Sequence, residues 1–110
     1  MLKGVRRGAK LDVVDPRRTS SARWADVWLG LDVGSDIALA NAIAREIIAS
    51  GLENRAFIEN ATSAFEPYRE AVEPYTLEYA EKVTGVPAET TFARDCLMSD
   101  GAPSFTIARL

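Results

Sequence analysis

Gly8-Ala9-Lys10-Leu11-Asp12-Val13-Val14-Asp15-Pro16-Arg17-Arg18-Thr19 is the stretch whose reading decides the fold. Lys10 to Asp15 alternates weakly and carries the β-branched pair Val13-Val14, the pattern of a short buried strand of a parallel sheet. Pro16 has no backbone N–H, so it ends that strand or opens the next helix at its first position. An acid, a proline and two arginines thus stand at a strand exit. Open α/β sheets bind their ligands at such ends.

Working outward, Thr19 to Ala25 predicts a short helix capped by Thr19 or Ser20. Asp26 to Leu31 alternates again, with Val27, Leu29 and Leu31 on one side and Trp28 on the other, which predicts a second strand. Asp36 to Ser50 predicts a helix. Ile37, Leu39, Ala40, Ile43, Ala44, Ile47 and Ile48 cover most of its surface and only Asn41, Arg45 and Glu46 mark a wet side, so it is expected to be largely buried. Gly51 supplies a left-handed stop. Strand, helix, strand, helix in that order implies an α/β fold with an open, partly parallel sheet layer.

The second half predicts a helix-rich segment. Asn54 caps a short helix carrying Phe57 and Ile58, and Ser63 with Glu66 forms a capping box for a helix carrying Phe65, Tyr68 and Val72. Pro74 separates that helix from Thr76 to Val83, where Leu77, Ala80 and Val83 recur at helical spacing, and Gly85 ends it. Pro87 opens a further helix through about Met98. Asp100-Gly101-Ala102-Pro103 reads as a turn and Ser104 to Ala108 as a final strand.

At 110 residues the chain is about one domain. Its net charge of -3 argues against a nucleic-acid surface, which is usually basic. The arginines at 6, 7, 17, 18 and 23 are still a local cluster, of the kind more often found on a solvated face. A single cysteine, Cys96, excludes a disulfide framework or a metal quartet within the chain, and it reads as a structural thiol. The absence of histidine removes the commonest general base and metal ligand together. No apolar run approaches the roughly 18 residues of a membrane span. The start Met1-Leu2-Lys3-Gly4-Val5 lacks a signal-peptide core, so a cytoplasmic location without membrane contact is expected.

Two segments are candidates for chemistry. Asp15 at a strand terminus is placed to accept hydrogen bonds from ribose hydroxyls, the alternative being an Asp-Pro turn whose carboxylate caps Arg17 or Arg18. Gly34-Ser35-Asp36 opens the long helix. Free N–H groups there suit an anion, and the Asp36 carboxylate matches the adjacent N1–H and N2–H donors of guanine. The alternative is an ordinary helix cap with an acid complementing the helix dipole. Taken singly, each segment is better explained by its alternative.

Their order and spacing carry more. The run Asp15-Pro16-Arg17-Arg18-Thr19, the short strand after it and Gly34-Ser35-Asp36 resemble the formate dehydrogenase branch of the molybdopterin oxidoreductases. Gly51-Leu52-Glu53, Ala56-Phe57-Ile58, Phe65, Tyr68-Arg69-Glu70, Tyr75-Thr76, Glu78 and Thr84-Gly85-Val86-Pro87-Ala88 continue the likeness, which runs from about Gly8 to Glu89. The resemblance implies a Rossmann-like portion of one domain binding a molybdopterin guanine dinucleotide, with residues 1–110 an excerpt of it. Asp15, Pro16, Arg17, Arg18 and Thr19 would line the guanosine side, with Gly34, Ser35 and Asp36 opposite. Arg17 or Arg18 would face a phosphate or stack on a base.

Family segments for the iron–sulfur cluster, the molybdenum ligand and the residues acting on formate have no counterpart here, so the resemblance assigns this chain no catalytic residue and no metal ligand. It implies a molybdenum- or tungsten-dependent parent oxidising formate to carbon dioxide. The iron–sulfur cluster belongs to that parent alone. The partners would be the rest of the catalytic subunit and electron-transfer subunits. A nitrate reductase-like parent and a stand-alone nucleotide-binding or interaction module are the competing readings.

Overall fold

The computed structural model describes residues 2–91. The elements run α1 (Leu2–Val5), β1 (Asp12–Val14), a 3-10 turn at Ala22–Trp24, β2 (Val27–Leu29), α2 (Asp36–Ala49), α3 (Arg55–Ala61), α4 (Phe65–Val72) and α5 (Leu77–Thr84). The chain turns helical again over residues 88–91. The expected end of that helix near Met98, the turn at 100–103, the strand at 104–108 and Cys96 lie outside the described residues.

β1 and β2 pair in parallel, with Asp12 opposite Val27, Val13 opposite Trp28 and Val14 opposite Leu29. Both strands are shorter than their sequence patterns. The pairing nevertheless continues past each end, because the Asp26 N–H donates to the Leu11 carbonyl at 2.7 Å and the Asp15 N–H to the Leu29 carbonyl at 3.2 Å. The crossover between the strands is expected to be a capped helix and is instead a 3-10 turn, whose preceding residue Ser21 makes no side-chain cap bond. The mixed α/β class holds, and among the described residues the sheet has two strands.

Alternation in β2 sorts the faces as its sequence implies. Leu29 and Leu31 are buried and form the core with Leu39, Ile43 and Val86, against which Val14, Val27 and Ile47 pack. Trp28 points away from that core, as neighbouring residues of a strand must. On α2 only Ala38, Leu39, Ala42 and Ile43 are buried, and Ile37 is 67% exposed. The helix expected to be largely buried is half-buried over Ala44 to Ile48 as well, and exposes Asp36, Ile37, Ala40 and Ala49. α2 packs on α4 and α5, and Ile37 is its large apolar side chain left uncovered among the described residues.

Caps explain where the helices begin and stop. The side chains of Asn54 and Thr76 accept from the N–H groups of Phe57 and Tyr79, each three residues on, at 3.0 and 3.1 Å. Gly51 and Gly85 take the left-handed conformation that ends α2 and α5. The capping box expected of Ser63 and Glu66 is absent. Ala64, at φ 57°, holds the cap position of α4, so Ser63 is one residue too early for its hydroxyl to act there. In α5 the apolar spacing implicates Val83, yet Val83 is 38% exposed while Ala80 and Thr84 are buried. Arg45, expected on a wet face, reaches across to α4. Its Nε donates to the Glu73 carbonyl at 2.9 Å, and its terminal nitrogens bond Glu73 Oε1 and Glu46 Oε1.

Candidate functional site

Parallel pairing places the carboxyl ends of β1 and β2 at one edge of the sheet. β1 leads directly into Asp15-Pro16-Arg17-Arg18-Thr19, and β2 leads through Gly30 to Asp32 into Gly34-Ser35-Asp36. Both candidate segments thus leave the same sheet edge. No hydrogen bond or ion pair joins one segment to the other among the described residues, so each is held by its own neighbours.

In the first segment Asp15 is an Asx turn. Its Oδ1 accepts the Arg17 N–H at 2.7 Å, with the Arg17 Nε 3.8 Å away. The turn reading of Asp15 is realised, yet it uses only one carboxylate oxygen. Oδ2 makes no hydrogen bond among the described residues, and the side chain is only 16% exposed. The Thr19 N–H donates to the Arg17 carbonyl at 2.8 Å and tightens the turn further. Pro16, Arg17 and Arg18 are exposed, with the Arg18 guanidinium carbon 5.5 Å from the centre of the Trp28 ring.

In the second segment Gly34 has φ 86°, a left-handed value that glycine adopts without strain. Ser35 is buried, but its hydroxyl does not cap α2. It turns back and donates to the Asp32 carbonyl at 2.6 Å. The hydroxyl therefore leaves the first-turn N–H groups of α2 to other acceptors. Asp36 is exposed in that same turn, where its charge complements the helix dipole.

Two residues at this edge escaped the sequence reading. The Trp28 Nε1–H donates to the Asp15 carbonyl at 3.0 Å. A side chain at Gly30 would place its Cβ 2.7 Å from Cζ2 and 2.9 Å from Cη2 of Trp28, so the indole occupies the space that glycine leaves. The only sequence signal for this was the spacing Trp28-x-Gly30, two residues apart and hence on one face of the strand. A third, Asp26, works at the opposite end of the strands. Its carboxylate accepts the Leu11 N–H at 2.9 Å and the Lys10 ammonium at 3.0 Å. The Leu11 bond first, then Lys10, holds its carboxyl below the ordinary carboxylate value.

The edge gathers a half-used carboxylate at a strand exit, a carboxylate on a helix start whose serine turns away, and two exposed guanidinium groups. No group of three or more His, Cys, Asp or Glu among the described residues could hold a metal ion.

No family model matches the chain. Individual relatives do. Formate dehydrogenase H of Escherichia coli is 48% identical over 83 residues, which are 76% of this chain and 12% of that protein. The F420-dependent formate dehydrogenase subunit alpha of Methanocaldococcus jannaschii is 43% identical over 83 residues, again 76% of this chain and 12% of the relative. Among solved structures, acetylene hydratase from Pelobacter acetylenicus superposes with a TM-score of 0.87 at 35% identity, over 93% of this chain and 14% of that one.

The chain is homologous to a short region of the molybdopterin enzymes named formate dehydrogenase and acetylene hydratase. In the formate dehydrogenases that region is about an eighth of their length.

Proposed function

We propose that this chain is a cofactor-binding segment of a molybdopterin-dependent oxidoreductase, gripping the guanosine end of a molybdopterin guanine dinucleotide at the carboxyl edge of β1 and β2. The observation that carries the reading is the parallel pairing, which brings Asp15 and the Gly34–Asp36 helix start to one edge of one sheet. In this reading Asp15 Oδ2 accepts from the ribose, and the Asp36 carboxylate accepts from N1–H and N2–H of the guanine. Arg17 neutralises a phosphate and Arg18 stacks on the base or meets a second phosphate. The two strands are then part of a larger open sheet of Rossmann type.

The names of the relatives support a cofactor role over a substrate role. A formate dehydrogenase and an acetylene hydratase, by those names, act on different molecules, yet both match this same stretch at 48% and 35% identity. What such proteins share here is better suited to a common cofactor than to either substrate. The parent activity we favour is formate oxidation to carbon dioxide, because formate dehydrogenases recur among the relatives. The pterin-bound molybdenum or tungsten would supply the two-electron chemistry, and electron-transfer subunits would take the electrons onward. The described residues contain no helix long and apolar enough to cross a membrane, and we place the parent in the cytoplasm.

Titration of the chain with GDP and with ADP tests the reading. Guanine should bind more tightly, because adenine would set its N1 acceptor against the Asp36 carboxylate and leave that carboxylate poorly paired. Equal affinity for the two nucleotides would sink it.

A further inference from the structure

Trp28 is the largest side chain at the candidate site, and it contributes little to the core. Its neighbours Leu29 and Leu31 point into the core and are buried, whereas Trp28 is half-buried on the opposite face of the sheet. The indole meets three partners there. Its Nε1–H bonds the Asp15 carbonyl at 3.0 Å, its face lies under the Arg18 guanidinium at 5.5 Å, and its six-membered ring occupies the space above Gly30.

These contacts bracket the turn. Asp15 is its first residue and Arg18 its fourth, and one rigid ring touches both. The remaining restraints are the ladder bond from the Asp15 N–H to the Leu29 carbonyl at 3.2 Å, which ties the first residue to β2, and two local ones: Asp15 Oδ1 to the Arg17 N–H, and the Thr19 N–H to the Arg17 carbonyl. The local bonds define the shape of the turn, and the ladder bond stops at Asp15, so none of them aims Arg18 relative to the sheet. An indole carried on the neighbouring strand does aim it. The other tryptophan, Trp24, is 58% exposed and makes no such bond, so this behaviour belongs to the position and not to the residue type.

We propose that Trp28 is the positioning residue of the Asp15–Thr19 turn, fixing the Asp15 carbonyl through Nε1–H and holding Arg18 over its ring, with Gly30 keeping the space the indole needs. The proposal deepens the guanosine-site reading and rests on it for its ligand. Its structural half stands without a ligand. Aiming the turn in advance removes part of the ordering cost from the binding step, which is how a residue that never touches the nucleotide raises affinity.

Amide hydrogen exchange and GDP titration on the whole chain test it together, using Trp28→Phe, Trp28→Leu and the control Trp24→Phe. Trp28→Phe keeps an aromatic face under Arg18 and removes the N–H donor together with part of the ring over Gly30. It should speed exchange at the Arg17 and Thr19 amides about fivefold, the scale of one lost hydrogen bond. Trp28→Leu also removes the ring face and should speed it about tenfold or more. The Leu39 amide in the core of α2 should be unchanged in Trp28→Phe, and Trp24→Phe should match the wild type throughout. GDP affinity should fall by similar factors in the same order. Turn amides that keep wild-type exchange in Trp28→Phe, or that change only in step with Leu39, overturn the proposal. So does faster turn exchange with unaltered affinity in a chain that binds GDP. A wild-type chain that binds no GDP removes the guanosine reading instead, and the exchange comparison still decides the role of Trp28.

Discussion

The Asp32 N–H donates to the Thr84 carbonyl at 2.8 Å, tying the loop that enters α2 to the last residue of α5. Thr84 is completely buried. Its hydroxyl donates to the Ala80 carbonyl at 2.7 Å and accepts the Val86 N–H at 3.1 Å, so one side chain ends α5 and turns the chain toward the core residue Val86. The helix-rich half thereby braces the loop of the candidate site from below.

Thr84→Val keeps the shape and removes the hydroxyl, leaving the buried Val86 N–H without its acceptor. A loss of about 1–3 kcal/mol is expected from that unpaired group. Urea unfolding measures it, and an unchanged midpoint would refute the assigned role.

Gly30→Ala places a methyl group against the Trp28 ring, where the Cβ would lie 2.7 Å from Cζ2. The ring or the strand must shift, at a cost of about 1–3 kcal/mol, the usual range for overpacking. The near-ultraviolet circular dichroism of the tryptophans should change with it. In Trp28→Leu the same glycine substitution should cost much less, since the atoms it collides with are gone.

Leu39 and Ile37 lie two positions apart on α2 and should respond oppositely to truncation. Leu39→Ala opens a cavity in the core and should cost about 2–5 kcal/mol. Ile37→Ser acts at a residue 67% exposed in this chain and should stay within about 0.5 kcal/mol. Paired thermal melts check both.

Asp15→Asn and Asp36→Asn each remove a charged acceptor without changing shape. Each should weaken GDP binding by about 1.5–3 kcal/mol. Asp36→Asn should do so with little change in melting temperature, because its carboxylate makes no bond within the described chain. Parallel titration and melting experiments separate loss of binding from loss of fold. A fall in stability alone would make both acids a turn residue and a helix start.

Asp26 sets an acid limit on stability. Its folded carboxyl is held below the ordinary carboxylate value, first by the Leu11 N–H bond and then by Lys10. A depressed acid contributes stability that is present above the unfolded pKa and lost as pH falls through the folded one. Asp26→Asn should therefore flatten the decline of the urea midpoint below about pH 4, and high salt should shrink the contribution of the exposed Lys10 partner. An unaltered acid limb would show that the bond to Leu11 does not form in solution.

Sequence alone determined the order of the strands and of the helices from α2 to α5, the cap at Asn54 and the glycine stops at 51 and 85. Each depends on contacts within a few residues and leaves a local signature. It also fixed the outward direction of Trp28, since alternation along a strand is obligatory. Tertiary structure alone decided that Ser35 turns its hydroxyl to Asp32 rather than capping α2, that Ala64 displaces Ser63 at the start of α4, and that Arg45 binds Glu73 instead of water. It also decided that Gly30 must be glycine because an indole lies over it. These outcomes depend on which atoms arrive from elsewhere in the chain, and periodicity carries no record of that. The exposed Ile37 shows the same limit from the other side: an apolar helix face states that something should cover it, and only packing settles whether these residues do.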